Sequence, residues 1–153
     1  MIVDNESNIE FIDFKEEYIN DIYAIERDSI DVAWSESQLR DLIGKENVVA
    51  RVGVLDGTAI CSYSFNVVFE EGEINNLSVK KSERGKGIGN LLMKDMINVA
   101  KIRNLQALTL EVNENNEIAI NLYKKFGFAV EGRRANYYFG KDAALIMWRR
   151  NFD

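Results

Sequence analysis

The stretch Ser82-Glu83-Arg84-Gly85-Lys86-Gly87-Ile88-Gly89 constrains this chain more than any other. It follows an alternating apolar run that ends at Val79 and precedes an amphipathic run from Ile88 to Arg103. It therefore reads as a glycine-rich loop that leaves a strand and opens a helix. Such a loop bares backbone N–H groups, and the helix N-terminus adds the positive end of its dipole. Together they form a phosphate cradle. Arg84 and Lys86 add charge suited to a diphosphate. The spacing excludes two common nucleotide loops. A dinucleotide fingerprint needs its third glycine where Asn90 stands. A P-loop needs Lys and then Ser or Thr after its last glycine, where Asn90 and Leu91 follow. What remains is Arg-x-x-Gly-x-Gly, from Arg84 to Gly89.

The rest of the chain falls into order around this loop. Asn8 to Phe14 alternates weakly, as a first strand would. Glu16 to Ser29 has helical apolar spacing. A short helix starts near Trp34-Ser35-Glu36, with Ser35 and Gln38 as a capping box, and stops near Ile43-Gly44. Asn47 to Leu55 and Thr58 to Phe69 flank Asp56-Gly57, a strong hairpin signal. Glu70-Glu71-Gly72 reads as a turn before the strand Glu73 to Val79. The helix after the glycine loop carries Ile88, Leu91, Leu92, Met96, Val99 and Ala100 on one stripe. Then come a strand, Ala107 to Val112, and a helix, Glu117 to Phe126, stopped by Gly127. Two closing strands, Phe128 to about Arg134 and Ala143 to Arg150, are joined through Tyr137 to Asp142. The expected architecture is α/β with a mixed sheet of about seven strands and four helices. The strand–helix–strand unit from Glu73 to Val112 is expected to be a right-handed parallel crossover.

Composition narrows the function. At 153 residues the chain is expected to form a single domain with a sizeable core. It has no run of 18 apolar residues, so no membrane span is expected. The acidic start, Met1 to Glu6, lacks a signal pattern, and Cys61 is the only cysteine, so a cytoplasmic setting is expected. Cys61 lies in an apolar run and reads as core. A net charge of −6 argues against nucleic-acid binding and suits a cationic partner. The chain has no histidine, which removes the commonest general base and most zinc sites, so no metal is expected. Acid–base chemistry then falls to Glu, Asp, Tyr, Lys or water.

Several segments together resemble the GNAT superfamily of acetyl-coenzyme A-dependent N-acetyltransferases, and within it the RimI branch, the ribosomal-protein-alanine N-acetyltransferases. They are the loop from Arg84 to Gly89, the order of elements, and Leu110-Glu111-Val112-Asn113-x-x-Asn116-x-x-Ala119-Ile120-x-Leu122-Tyr123-x-x-x-Gly127-Phe128. Arg133-Arg134-Ala135-Asn136-Tyr137-Tyr138 matches the branch's Arg-x-x-Tyr-Tyr pattern, and Trp34-Ser35-Glu36 its Trp-Ser-Glu segment. From spacing alone Glu111 is a solvent-facing acid sharing a face with Thr109, Tyr123 is a core aromatic, and Asn116 is a helix N-cap.

The resemblance implies further roles. Glu111 is the proton acceptor and Tyr123 the proton or hydrogen-bond donor to the departing coenzyme A thiolate. An α-amine near ~8 must lose a proton before attack, and an ordinary carboxylate near ~4.3 is a weak base, so water or a raised value would have to help. Asn116 and the loop residues Arg84, Gly85, Lys86, Gly87, Ile88 and Gly89 contact acetyl-coenzyme A. The backbone of Leu77, Ser78 and Val79 binds its pantetheine arm, where the strands Glu73–Val79 and Ala107–Val112 would splay apart, and polarises the acetyl carbonyl. Tyr138 lines the peptide site. Trp34 is either a hydrophobic staple or part of a substrate wall, and Glu73 is a rival base. The implied reaction is direct transfer to a protein N-terminal α-amine, with a ribosomal protein's alanine as acceptor. The enzyme would be a monomer or weak dimer. Alternatives are a polyamine, aminoglycoside or lysine acceptor, or a non-catalytic acyl-coenzyme A sensor.

Overall fold

The computed structural model describes residues 8–28, 34–138 and 140–152. The elements run β1 (Glu10–Asp13), α1 (Ile19–Arg27), α2 (Glu36–Arg40), β2 (Val48–Leu55), β3 (Thr58–Val68), β4 (Glu71–Val79), α3 (Ile88–Ile102), β5 (Ala107–Asn113), α4 (Glu117–Lys125), β6 (Ala129–Tyr138) and β7 (Asp142–Arg150). The strands form one mixed seven-stranded sheet in the order β1-β2-β3-β4-β5-β7-β6. Among the described residues no helix is long and apolar enough to cross a membrane. The chain divides into two compact units. One holds the residues up to Asn66 with Asn75–Met96, the other Val67–Ile74 with the residues from Ile97 onward.

In the first unit, β2 buries residues on both faces, Val49 and Gly53 on one and Ala50 and Val52 on the other. Ala50 and Val52 join Phe14, Ile19, Ile22, Ile25, Leu39, Leu42 and Ala59 in one apolar cluster under α1 and α2. Arg51, one position out of phase, points the other way, as period-two alternation requires. Its guanidinium bonds both oxygens of Asp95 on α3, and the Tyr63 hydroxyl donates to the same carboxylate at 2.6 Å. The capping box forms as expected: Ser35 Oγ accepts from Gln38 N–H at 3.2 Å, and Gln38 Oε1 accepts from Ser35 N–H at 2.9 Å. The expected first helix opens with a single 3₁₀ turn, Glu16–Tyr18, before α1. Its expected last residue, Ser29, lies outside the described residues. The Asp56-Gly57 hairpin also forms, with φ of 50° and 81° at its two central residues, the left-handed pair of a type I′ turn.

In the second unit, β5 pairs parallel with the start of β4 and antiparallel with β7, which pairs in turn with β6. Here the expected turn at Glu70-Glu71-Gly72 is displaced. Glu71 and Gly72 belong to β4, opposite Ala107 and Leu108. The reversal occurs at Phe69 and Glu70, with Phe69 at φ 55°. Strand β6 also runs further than expected, through Tyr138. Asn136 sits at φ 56° in a register shift between Arg134 and Tyr138, which lets the strand continue past a local irregularity. The buried stripe of α3, a helix that runs through both units, is broader than expected. Met93 is fully buried beside Leu92, Met96 and Ala100, and Leu91 and Val99 lie at its margins.

Candidate active site

In the first unit, the glycine loop starts where Val79 ends β4. A single 3₁₀ turn, Lys81–Glu83, leads to Gly85 and Gly87 at φ 79° and 83°, and α3 begins at Ile88. These left-handed conformations explain the two glycines. A Cβ on Gly85 would meet nothing within 4 Å, so the loop's outer side is open to a ligand. Ile88 is buried and pins the loop to the core. The exposed Arg84 donates through Nε to Val79 O at 3.1 Å, tying loop to strand, and Lys86 Nζ lies 3.2 Å from Glu83 Oε2. Backbone N–H groups, a helix N-terminus and two cations fit the diphosphate of acetyl-coenzyme A. Leu77 and Ser78 are half-buried on β4, and Ser78 Oγ meets Ser62 Oγ at 3.1 Å. Trp34 packs against the α1–α2 cluster and also lines an open cleft of about 240 Å³ with Gln38, Asp41, Lys45 and Asn75.

In the second unit, the parallel ladder between β4 and β5 covers only three pairs and ends at Glu73–Thr109. Glu111 lies two residues further along β5, on the face of Thr109, opposite Ile146 of β7. Ile146 in turn faces Gly132 of β6. A bulge between Val130 and Gly132 shifts the alternation of β6, so Arg134 falls on the Glu111 face and Arg133 on the other. Arg134 Nη1 lies 3.5 Å from Glu111 Oε1. The Glu111 carboxylate is also the main cause of a raised pKa for the Tyr137 phenol. The Arg134 guanidinium also stands 5.7 Å over the Tyr137 ring. Arg133 instead makes a fork with both oxygens of Glu114. The sequence matched Arg134 and Tyr137 to a motif without giving them a role. Two register shifts place them, one at Val130/Gly132 before Arg134 and one between Arg134 and Tyr138. Gly132, an isolated glycine within a strand, is the residue-type signal for the first.

Tyr123 is buried on α4, its ring 6.0 Å from that of Phe128. Burial, with a smaller contribution from Tyr138, pushes its hydroxyl up to about 12. Tyr138 itself meets Tyr137 edge to face at 5.0 Å. Asn116 caps α4, its Oδ1 accepting from Ala119 N–H at 3.2 Å. Glu73 is exposed on β4. The structure thus gathers Glu111 with Arg134 and Tyr137, and Tyr123 with Tyr138. Cys61 belongs to neither group: it is fully buried, and burial pushes its thiol up to about 12.

Comparison with known proteins places this arrangement. The sequence pattern of the acetyltransferase (GNAT) family matches residues 19–128. The [ribosomal protein bS18]-alanine N-acetyltransferase of Haemophilus influenzae is 31% identical over 148 residues, covering 92% of this chain and 94% of that one. The crystal structure of the ribosomal-protein-S18-alanine N-acetyltransferase from Escherichia coli superposes with a TM-score of 0.86 at 26% identity, covering 93% of each chain. The fold is also that of a PaiA N-acetyltransferase from Thermoplasma acidophilum in complex with coenzyme A, with a TM-score of 0.74, 22% identity, and coverage of 94% of this chain and 99% of that one. The chain belongs to the acetyltransferase (GNAT) family and is an N-acetyltransferase.

Proposed function

We propose that this enzyme transfers acetyl from acetyl-coenzyme A directly to a protein N-terminal α-amine, the alanine of a ribosomal protein. The observation that carries the mechanism is the contrast between two side chains. Glu111 presents a carboxylate that water can reach, with 31% of its side chain exposed. Tyr123 presents a buried phenol pushed up to about 12. Acetyl-coenzyme A supplies the thioester, held at its diphosphate by the loop from Arg84 to Gly89, with Asn116 and the backbone of Leu77, Ser78 and Val79 as further contacts. Glu111 takes the amine's proton, directly or through water. At neutral pH Tyr123 keeps its proton. A simple thiol titrates near ~8.5, below this phenol, so Tyr123 serves the departing thiolate as a hydrogen-bond donor and does not surrender its proton outright. Trp34, Glu73 and Tyr138 line the acceptor's path. Cys61 takes no part. We place the enzyme in the cytoplasm as a monomer or weak dimer.

The acceptor class is supported by the names of the relatives at 31% and 26% identity. The net charge of −6 suits small polycations equally well. One experiment separates the readings. Thiol release from acetyl-coenzyme A is followed with peptides beginning Ala, Ser or Met, an N-blocked lysine peptide, and spermidine. Release with the Ala peptide is expected. Release only with lysine or spermidine would overturn the N-terminal assignment, and no release on any acceptor would favour a sensor. Glu111→Gln and Tyr123→Phe should each lower kcat by about 10²-fold while acetyl-coenzyme A still binds. Full activity in both would refute the two roles.

A further inference from the structure

We propose that Arg134 and Tyr137 are positioning residues that fix the orientation of the Glu111 carboxylate toward the acceptor amine. This inference rests on the assignment of Glu111 as the base. Three observations support it. The guanidinium of Arg134 lies 3.5 Å from this carboxylate, and the same carboxylate is the main influence on the Tyr137 phenol. The two partners also brace each other, with Arg134 over the Tyr137 ring at 5.7 Å. And the β6 bulge is what places Arg134 on this face, while its neighbour Arg133 is committed to Glu114.

Stability gives little reason for the arrangement. The Arg134 and Glu111 side chains are 58% and 31% exposed, and exposed ion pairs add little to folding. Its consequence is local. A lone carboxylate on a strand swings freely about its side-chain bonds. One held by a cation and a phenol keeps one orientation, and a base must be oriented before it can accept a proton productively. The carboxylate raises the Tyr137 pKa, so the phenol stays protonated and can donate toward it. The other charged groups on this face include Glu71 and Glu73 on β4, Asp142 on β7, which accepts from Asn113 Nδ2 at 3.2 Å, and Arg150 at the far end of β7. The cation among these, Arg150, lies opposite Ala107, four residues along β5 from Glu111, and forks onto Glu131, so it does not replace Arg134.

The test measures steady-state kinetics with acetyl-coenzyme A and a peptide beginning with Ala, for Arg134→Gln, Arg134→Lys and Tyr137→Phe, each alone and on a Glu111→Gln background. Arg134→Gln and Tyr137→Phe should each lower kcat about tenfold, with both KM values within about twofold. Arg134→Lys should keep more than half of the wild-type kcat. On the Glu111→Gln background, Arg134→Gln should cost nothing further, because its effect passes through that carboxylate. The melting temperature should stay unchanged throughout. The inference is overturned if the loss on the Glu111→Gln background is as large as in the wild type, if only KM changes, or if kcat does not move. A fully active Glu111→Gln would sink the base assignment and this inference together. An inactive Glu111→Gln beside an unaffected Arg134→Gln would sink the inference alone.

Discussion

Single residues in this protein take their chemistry from where the backbone puts them. Cys61 is the clearest case. Burial holds its thiol at about 12, against 9.0 for the ordinary group. The native state therefore keeps the proton in the window where an unfolded chain would lose it. The stability this gives is complete below about pH 9 and erodes as pH rises toward 12. At pH 8 iodoacetamide should leave the native thiol unmodified and alkylate it readily in 6 M guanidinium chloride. Rapid labelling of the folded protein would show that the site opens. Position decides roles in the same way at Glu111 and Arg134. The residue types made Glu111 a candidate, and motif resemblance gave it a role. Its two partners were harder to read, because one register shift reverses which of two adjacent arginines faces it.

Elements were legible where a short-range signal fixes the backbone. Ser35 and Gln38 announce the start of α2, and Asp56-Gly57 announces the first hairpin. Gly127 announces the end of α4. It sits at φ 88°, and a Cβ there would stand 2.9 Å from Arg149 Cδ, while the Arg149 guanidinium donates to Phe126 O at the same helix end. Gly127→Ala should therefore cost about 1–3 kcal/mol, from backbone strain and the displaced arginine. A chemical denaturation midpoint that did not move would refute that account. The turn at Phe69 was illegible for the opposite reason. Nothing in a phenylalanine signals a left-handed φ. Reversal there is imposed by the ladder that needs Glu71 and Gly72.

At the scale of the whole molecule, the order of elements could be read almost completely. The longer helices α1, α3 and α4 carry apolar faces, and many breaks between elements, such as Gly44, Asp56-Gly57, Asn104, Asn116 and Gly127, carry a glycine, an asparagine or an acid–glycine pair. What sequence could not supply was the strand order, with β7 lying between β5 and β6. The ligand of the glycine loop is open to direct test. Saturating acetyl-coenzyme A should raise the melting temperature, as any ligand of the native state does. Arg84→Glu should lose most of that rise, while its ligand-free melting temperature falls only slightly, because Arg84 is exposed and loses a single surface hydrogen bond to Val79 O. An undiminished rise would return the loop to being only a turn. The β6–β7 hairpin carries a last consequence. Arg134 and Tyr137, the two β6 residues placed here against Glu111, fall within four consecutive positions on one strand. The hardware that aims the proposed base is therefore a short contiguous cassette. It can be exchanged or diversified by rewriting one hairpin, with the glycine loop and the strand that bears Glu111 left untouched.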